Sequence, residues 1–404
     1  MIEKAKSKKI LLIALESINN VGDEMLRATT EHILRSSIPN NIEVEAAQLK
    51  PAFSYIKKNY KLSWLVSAVI LKLMISLHLR HCFRIKNFVY IIAYKKYFEE
   101  RIKNTDYIIL PVGMLKYSTQ DFSYVFHLIN KLATKYGKSV LMSAMSPQKA
   151  DDKDWRYRQL VEAVNMPSVK MITTRDGQKG VDIIRKDYIR RDITCDYVGD
   201  PSLWIPDCYG VEQKKKREVM EHPHVGINII REGIFDDYNK SFTDERLFQL
   251  YVQLIELINA KGWRWSVYTN GMESDWKVLR KLQQHIGFSD GHVTQQYTSA
   301  KDYVTKISDF DAVFGARLHA CITPVSLGIP VVGFIWDDKL KHFSETMGIG
   351  QFFFQPQEMT AEIILAKLED ALKFDFDYEK RDKYKQKTVE SFDKFLITSK
   401  MVTE

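Results

Sequence analysis

The chain has 404 residues, 45% of them hydrophobic and 27% charged, with a formal net charge of +8. That length exceeds what one hydrophobic core supports, so two domains are expected, and the composition excludes a disordered or fibrous chain. The basic excess points to anionic partners: phosphorylated substrates, acidic glycans, membrane surfaces or nucleic acid.

The first apolar run, ILLIAL, follows a basic start but is short and has no small-residue cleavage site after it. Residues 10–15 therefore read as a buried strand. It leads into the polar loop SINNVGDE, where Asp23 is expected to cap a helix from about Glu24 to Arg35. In this loop Asn19 and Asn20 can bind hydroxyls, Gly22 permits a tight turn, and Asp23 or Glu24 can accept protons; helix capping is the plainer alternative. A second strand near 43–47 precedes a long helical region over 53–103, rich in Lys and Arg (Lys57, Lys58, Lys61, Lys86, Lys95 and Lys96 among them). Its most apolar window, Trp64 to Leu79, is shorter than a membrane span and interrupted by Lys72. Two readings stand for this region, contact with an anionic membrane surface or packing on a sheet, and the second is preferred.

Strands at 106–114 and 139–145 flank a helix from about 122 to 136. A helix at 155–165, the strand VKMITTRDG, a helix from 177 to 186 and the segment ITCDYVGDPSLWIP complete a first Rossmann-like domain over 1–210. The Lys-rich stretch 211–224 marks a boundary. The second domain, 222–378, begins with the strand HVGINIIREG, ending in Arg231. A periodic helix closed by Gly262 follows, then the strand WRWSVYTNG, a helix over 276–287 and a short strand HVTQQY. Residues 379–404 read as a terminal helix packing back on the first domain. Repeated strand–helix units predict an α/β protein of two doubly wound domains facing a cleft.

The densest chemical signal is GARLHA. A strand, Gly315 at a tight turn and then a helix put Arg317 and His319 at the carboxyl end of a parallel strand, where such sheets hold ligands. Arg317 offers a planar fork for a carboxylate or phosphate, and His319 exchanges protons near neutral pH. Equally, Arg317 can tie down a helix end and His319 can be a hydrogen-bonded core residue. Arg231 and Lys339, the latter in WDDKLKHF, follow strands on the same rim and can add positive charge. Cys82, Cys195, Cys208 and Cys321 are scattered, without zinc spacing, which predicts a reduced cytosolic setting and no metal. No nucleic-acid-binding module is visible.

Together the segments NNVGDEM, the RD of TTRDG, DYVGDPSLW, GINIIR and RLHACITPVSLGIPVVGFIWDDKLKHF resemble the polysaccharide pyruvyl transferase family, with Trp336 where relatives commonly carry a tyrosine. The resemblance implies a GT-B-like fold, no cofactor, and transfer of the pyruvyl group of phosphoenolpyruvate onto two sugar hydroxyls as a ketal. It further implies His319 and Arg317 as catalytic groups, with Arg231, Lys339 and Gly315 on the donor. Asn19, Asn20, Gly22, Asp23 and Glu24 would line the acceptor on the first domain. A glycan or lipid-linked saccharide would be the acceptor, at the inner face of the membrane. A nucleotide-sugar glycosyltransferase and a non-catalytic glycan-binding protein of the same build remain open.

Overall fold

Apolar runs too continuous to face water on either side become the strands of two parallel sheets, each covered by helices. The computed structural model describes residues 8–16, 20–37, 42–79, 82–118, 121–214, 221–237 and 242–401. These fall into two compact units, one within 1–16, 30–198 and 387–404, the other within 17–29 and 199–386.

In the first unit the strands are β1 (Lys8–Ala14), β2 (Ile42–Gln48), β3 (Tyr107–Leu110), β4 (Ser139–Met142), β5 (Val169–Thr174) and β6 (Thr194–Tyr197). They lie in the order β2-β1-β3-β4-β5-β6, all parallel. Ile10 to Ile13 of β1 are fully buried. The long helical region is three helices, Phe53–Asn59, Lys61–Ser76 and Phe83–Lys103. Among the described residues no helix is long and apolar enough to cross a membrane. Arg175 and Asp176 of the TTRDG segment meet at the Ser146 hydroxyl, which donates to Asp176 Oδ1 (2.9 Å) and accepts from Arg175 Nε (3.2 Å).

In the second unit the strands are β7 (His224–Asn228), β8 (Arg264–Tyr268), β9 (Ala312–Gly315), β10 (Val331–Phe334) and β11 (Phe353–Phe354), ordered β8-β7-β9-β10-β11 and again parallel. HVTQQY is not a strand: Asp290–His292 form a 3-10 turn, and Val293 makes a single bridge to Val267. A polar Gln-Gln pair in an exposed segment has no apolar face to bury, so only one bridge forms.

Two stretches assigned by sequence to the first domain sit in the second unit. Residues 20–29 do so because Val21 and Met25 belong to that unit's apolar core, and because the Val21 N–H donates to the Asn270 carbonyl (3.2 Å). Residues 199–210 do so through Leu203 and Ile205, buried in the same core. The Val21–Ser37 helix also starts three residues earlier than expected. Asn20, not Asp23, stands at its cap: the Asn20 side-chain oxygen accepts from the Gly22 N–H (3.3 Å), and its amide donates to Asp23 (3.1 Å). The terminal helix Tyr378–Met401 begins in the second unit and ends in the first.

Candidate active site

The order β8-β7-β9 reverses direction between β7 and β9, and an open parallel sheet leaves a crevice at the carboxyl ends of such strands. Asn228 is the last residue of β7, fully buried at this position. Its side-chain oxygen accepts from the backbone N–H groups of Ala316 (3.3 Å) and Arg317 (3.2 Å), just past the end of β9. Its amide donates to Asn270 Oδ1 (3.0 Å), beyond the end of β8. One buried amide thus joins three strand ends and fixes the turn that carries Arg317.

Gly315 closes β9 without a left-handed backbone. A side chain there would press within 2.6 Å of Cys321 Sγ and 3.2 Å of the Ala320 carbonyl, so the glycine serves close packing of strand on helix rather than a tight turn. Trp336 completes the turn from the far side of β10, its indole N–H donating to the Ala316 carbonyl (2.6 Å).

Arg317 caps the Leu318–Ser326 helix, but its fork is turned inward. Nε and Nη2 each donate to Asp275, both at 2.6 Å, and Asp275 is completely buried at the start of the Glu273–Ile286 helix. The same carboxylate accepts the Arg231 backbone N–H (2.9 Å). A buried carboxylate without a cation would be strongly disfavoured, so Asp275 fixes the guanidinium and Arg317 ties down a helix end. Its Nη1 makes no hydrogen bond to any described residue.

His319 lies in the first turn of that helix, half-buried, with Gly22 against its ring. A Cβ at residue 22 would overlap the imidazole, lying 2.8 Å from Cγ. The first turn of the Val21–Ser37 helix therefore faces the first turn of the Leu318–Ser326 helix. Helix starts carry partial positive charge, and two of them meet here beside an arginine. Glu24 is directed elsewhere, accepting from the Ala300 N–H (3.1 Å) at the start of the next helix. Asn19 lies outside the described residues.

The remaining expected donor contacts are less engaged with this centre. The Arg231 side chain pairs with Asp237 and donates to the Glu232 carbonyl (3.0 Å). Lys339 Nζ lies 3.4 Å from Asp337 at the start of the Asp338–Thr346 helix.

Asn228, Asn270, Asp275 and Tyr297 belong to the site without having been singled out in the sequence. The Tyr297 hydroxyl is buried and makes no hydrogen bond among the described residues. Burial drives its pKa well above the usual tyrosine value, and the Asp275 and Glu24 carboxylates push the same way against the opposing Arg317 charge. Asn228 had one visible signal, a polar residue inside the apolar run HVGINII. Asp275 had none, because an acid in the first turn of a helix reads as an ordinary surface residue. No group of described side chains has the make-up of a metal site.

The sequence model for polysaccharide pyruvyl transferase matches residues 20–338, a span that starts at the Asn20 cap and ends just beyond Trp336. The chain belongs to that family. No curated protein matches it significantly in sequence. The fold is shared with solved structures of low identity. UDP-GlcNAc 2-epimerase from Methanocaldococcus jannaschii is 8% identical, with 96% of this chain and 99% of that one covered and a TM-score of 0.59. The UDP-GlcNAc 2-epimerase from Neisseria meningitidis, solved with UDP-GlcNAc bound, is 10% identical, covering 96% and 100%, with a TM-score of 0.57. Trehalose 6-phosphate synthase from Burkholderia multivorans is 11% identical, covering 99% and 97%, with a TM-score of 0.52. This family member is therefore an α/β transferase with the GT-B-like fold class expected from its sequence.

Proposed function

We propose that the protein transfers the pyruvyl group of phosphoenolpyruvate to two hydroxyls of a saccharide, forming a cyclic ketal and releasing phosphate. The observation that carries this reading is the meeting of two family-matched segments at one point, the NVGDEM turn, through Gly22, against the histidine of RLHA. Proton transfer to the methylene carbon of the donor makes its central carbon electrophilic, and one sugar hydroxyl adds there, its proton returning to the group that protonated the carbon. The carbon–phosphate oxygen bond then breaks, the second hydroxyl closes the ring, and its proton leaves with phosphate.

His319 is the group proposed to move the proton. The two helix starts and Nη1 of Arg317 receive the negative charge of the donor, with Lys339 and Arg231 as further cations on the same rim. Arg317 is thereby a positioning residue as much as a ligand, since Asp275 sets its direction. Asn20 and Asp23, on the turn beside His319, are the groups proposed to meet acceptor hydroxyls.

Purified protein given phosphoenolpyruvate and a panel of galactose-, mannose-, glucose- and aminosugar-containing glycans is expected to release phosphate only with the right acceptor. His319→Gln should lower the rate by about a hundredfold or more, with an unchanged melting temperature. Full activity in that variant would remove His319 from the mechanism. Because the fold is shared with enzymes of nucleotide sugars, thermal stabilisation by UDP but not by phosphoenolpyruvate would replace the reading with nucleotide-sugar transfer.

A further inference from the structure

The Lys61–Ser76 helix buries the wrong side for a helix packed on a sheet. Its two buried residues are Ser67 and Met74, and the Ser67 hydroxyl donates to the Val89 carbonyl (3.3 Å) of the helix behind it. Leu62, Leu65, Val66, Val69 and Leu73 face outward, Leu62 at 76% exposure. Their spacing of three, four and seven residues places them on a single stripe, opposite Ser67 and Met74. Exposed Leu77 (65%) and Phe88 (56%) extend the apolar surface past the helix end. A soluble domain rarely exposes so many large aliphatic groups together.

Charge identifies what this surface meets. Between Glu45 and Glu99 the sequence contains ten Lys or Arg and no acidic residue. At about 100° per residue, Lys61 and Lys72 run along one edge of the stripe, and both are exposed, as are Lys58 and Lys86. An apolar face edged by lysines matches the boundary between acyl chains and anionic headgroups, where the stripe sinks into hydrocarbon and the ammonium groups stay in water. Sixteen residues make a rod of roughly 24 Å, against a hydrocarbon core of about 30 Å, so the helix lies in the surface and does not cross it.

We propose that the Lys61–Ser76 helix and its flanking lysines dock the protein on an anionic lipid bilayer, the helix lying parallel to the membrane plane. This holds whatever reaction the second unit performs, because every residue invoked belongs to the first.

Flotation with vesicles tests it. Mixed phosphatidylcholine–phosphatidylglycerol vesicles are expected to carry the full-length protein upward, and pure phosphatidylcholine to carry about tenfold less, with capture falling as salt is raised. The triple substitution Leu65→Glu, Val69→Glu, Leu73→Glu should reduce capture by at least about tenfold without lowering the melting temperature, since these side chains are exposed. Lys58→Glu with Lys61→Glu and Lys72→Glu should also reduce it. Equal capture on both vesicle types, or undiminished capture of the Leu65→Glu triple variant, overturns the proposal. So does a lipid-free dimer that this variant dissolves while no vesicle retains the wild type, which would make the stripe a subunit interface.

Discussion

At the residue scale the contact between Gly22 and His319 sets a tight constraint in the second unit. A methyl group at position 22 must displace the imidazole or the helix start, and overpacking of this kind costs about 2 kcal/mol. Gly22→Ala is therefore expected to lower the melting temperature and to depress phosphate release more than the stability loss explains. Adding His319→Ala should recover the stability, because the ring that clashes is gone, but not the activity. If the double variant is no more stable than Gly22→Ala in a denaturant titration, the packing account of this pair is wrong.

How much of the site can be read from sequence depends on what each residue's neighbours are. Arg317 and His319 were visible because a strand, a glycine and a helix in sequence order already put them at a strand end. The inward turn of Arg317 was not visible, because Asp275 lies 42 residues earlier and approaches only through the packing of another helix. The same holds for Asn20, because Asp23, three residues on, offered itself as the cap. Gly315 was legible as a required glycine, though the requirement is the sulfur of Cys321 beneath it and not a backbone twist.

At the scale of elements, apolar runs predicted the strands well, and the failures fall where one element depends on another. HVTQQY had strand-forming residues but no apolar face to bury, and makes a single bridge to the edge strand β8. The helical region over 53–103 was read as a helix packed on a sheet, whereas its middle helix turns its larger aliphatic side outward. A periodic pattern shows that a stripe exists but not whether protein covers it. The Tyr378–Met401 helix shows the converse, a polar sequence hiding a firm anchor. Arg381 is only 1% exposed and donates to the Ser326 carbonyl (3.1 Å), to Gln213 (2.9 Å) and to Asp382 (2.9 Å). Arg381→Leu leaves the Ser326 carbonyl without that donor inside the protein and should destabilise by about 2 kcal/mol. A midpoint in urea indistinguishable from wild type would show that the bonds contribute nothing.

At the scale of the whole molecule, neither unit is one continuous stretch of sequence. The first contains residues 387–401, where Phe395 packs edge-on against Tyr107 with ring centroids 6.0 Å apart, within the usual range of about 4.5–7 Å, and Lys394 pairs with Asp196. A fragment ending at 210 would lack these and would carry Val21, Met25, Leu203 and Ile205 without their core. It is expected to be insoluble or unfolded by circular dichroism. Full chain severed at a protease site placed between Lys214 and Glu221 should instead elute as one species on native size exclusion and separate in denaturant. Two peaks under native conditions would show that the terminal helix does not bind the first unit.

The turn at residues 20–25 has a further consequence for synthesis. These residues leave the ribosome well before the segment that packs on them: the Thr323 hydroxyl that reaches Met25 sulfur lies 298 positions later. Until then the chain carries Val21 and Met25 without the core that will bury them, a contact of very long sequence separation that must form late. The helix start that packs against His319 is thus completed only after the Leu318–Ser326 segment has emerged, so a chain stalled before it cannot display the finished candidate site.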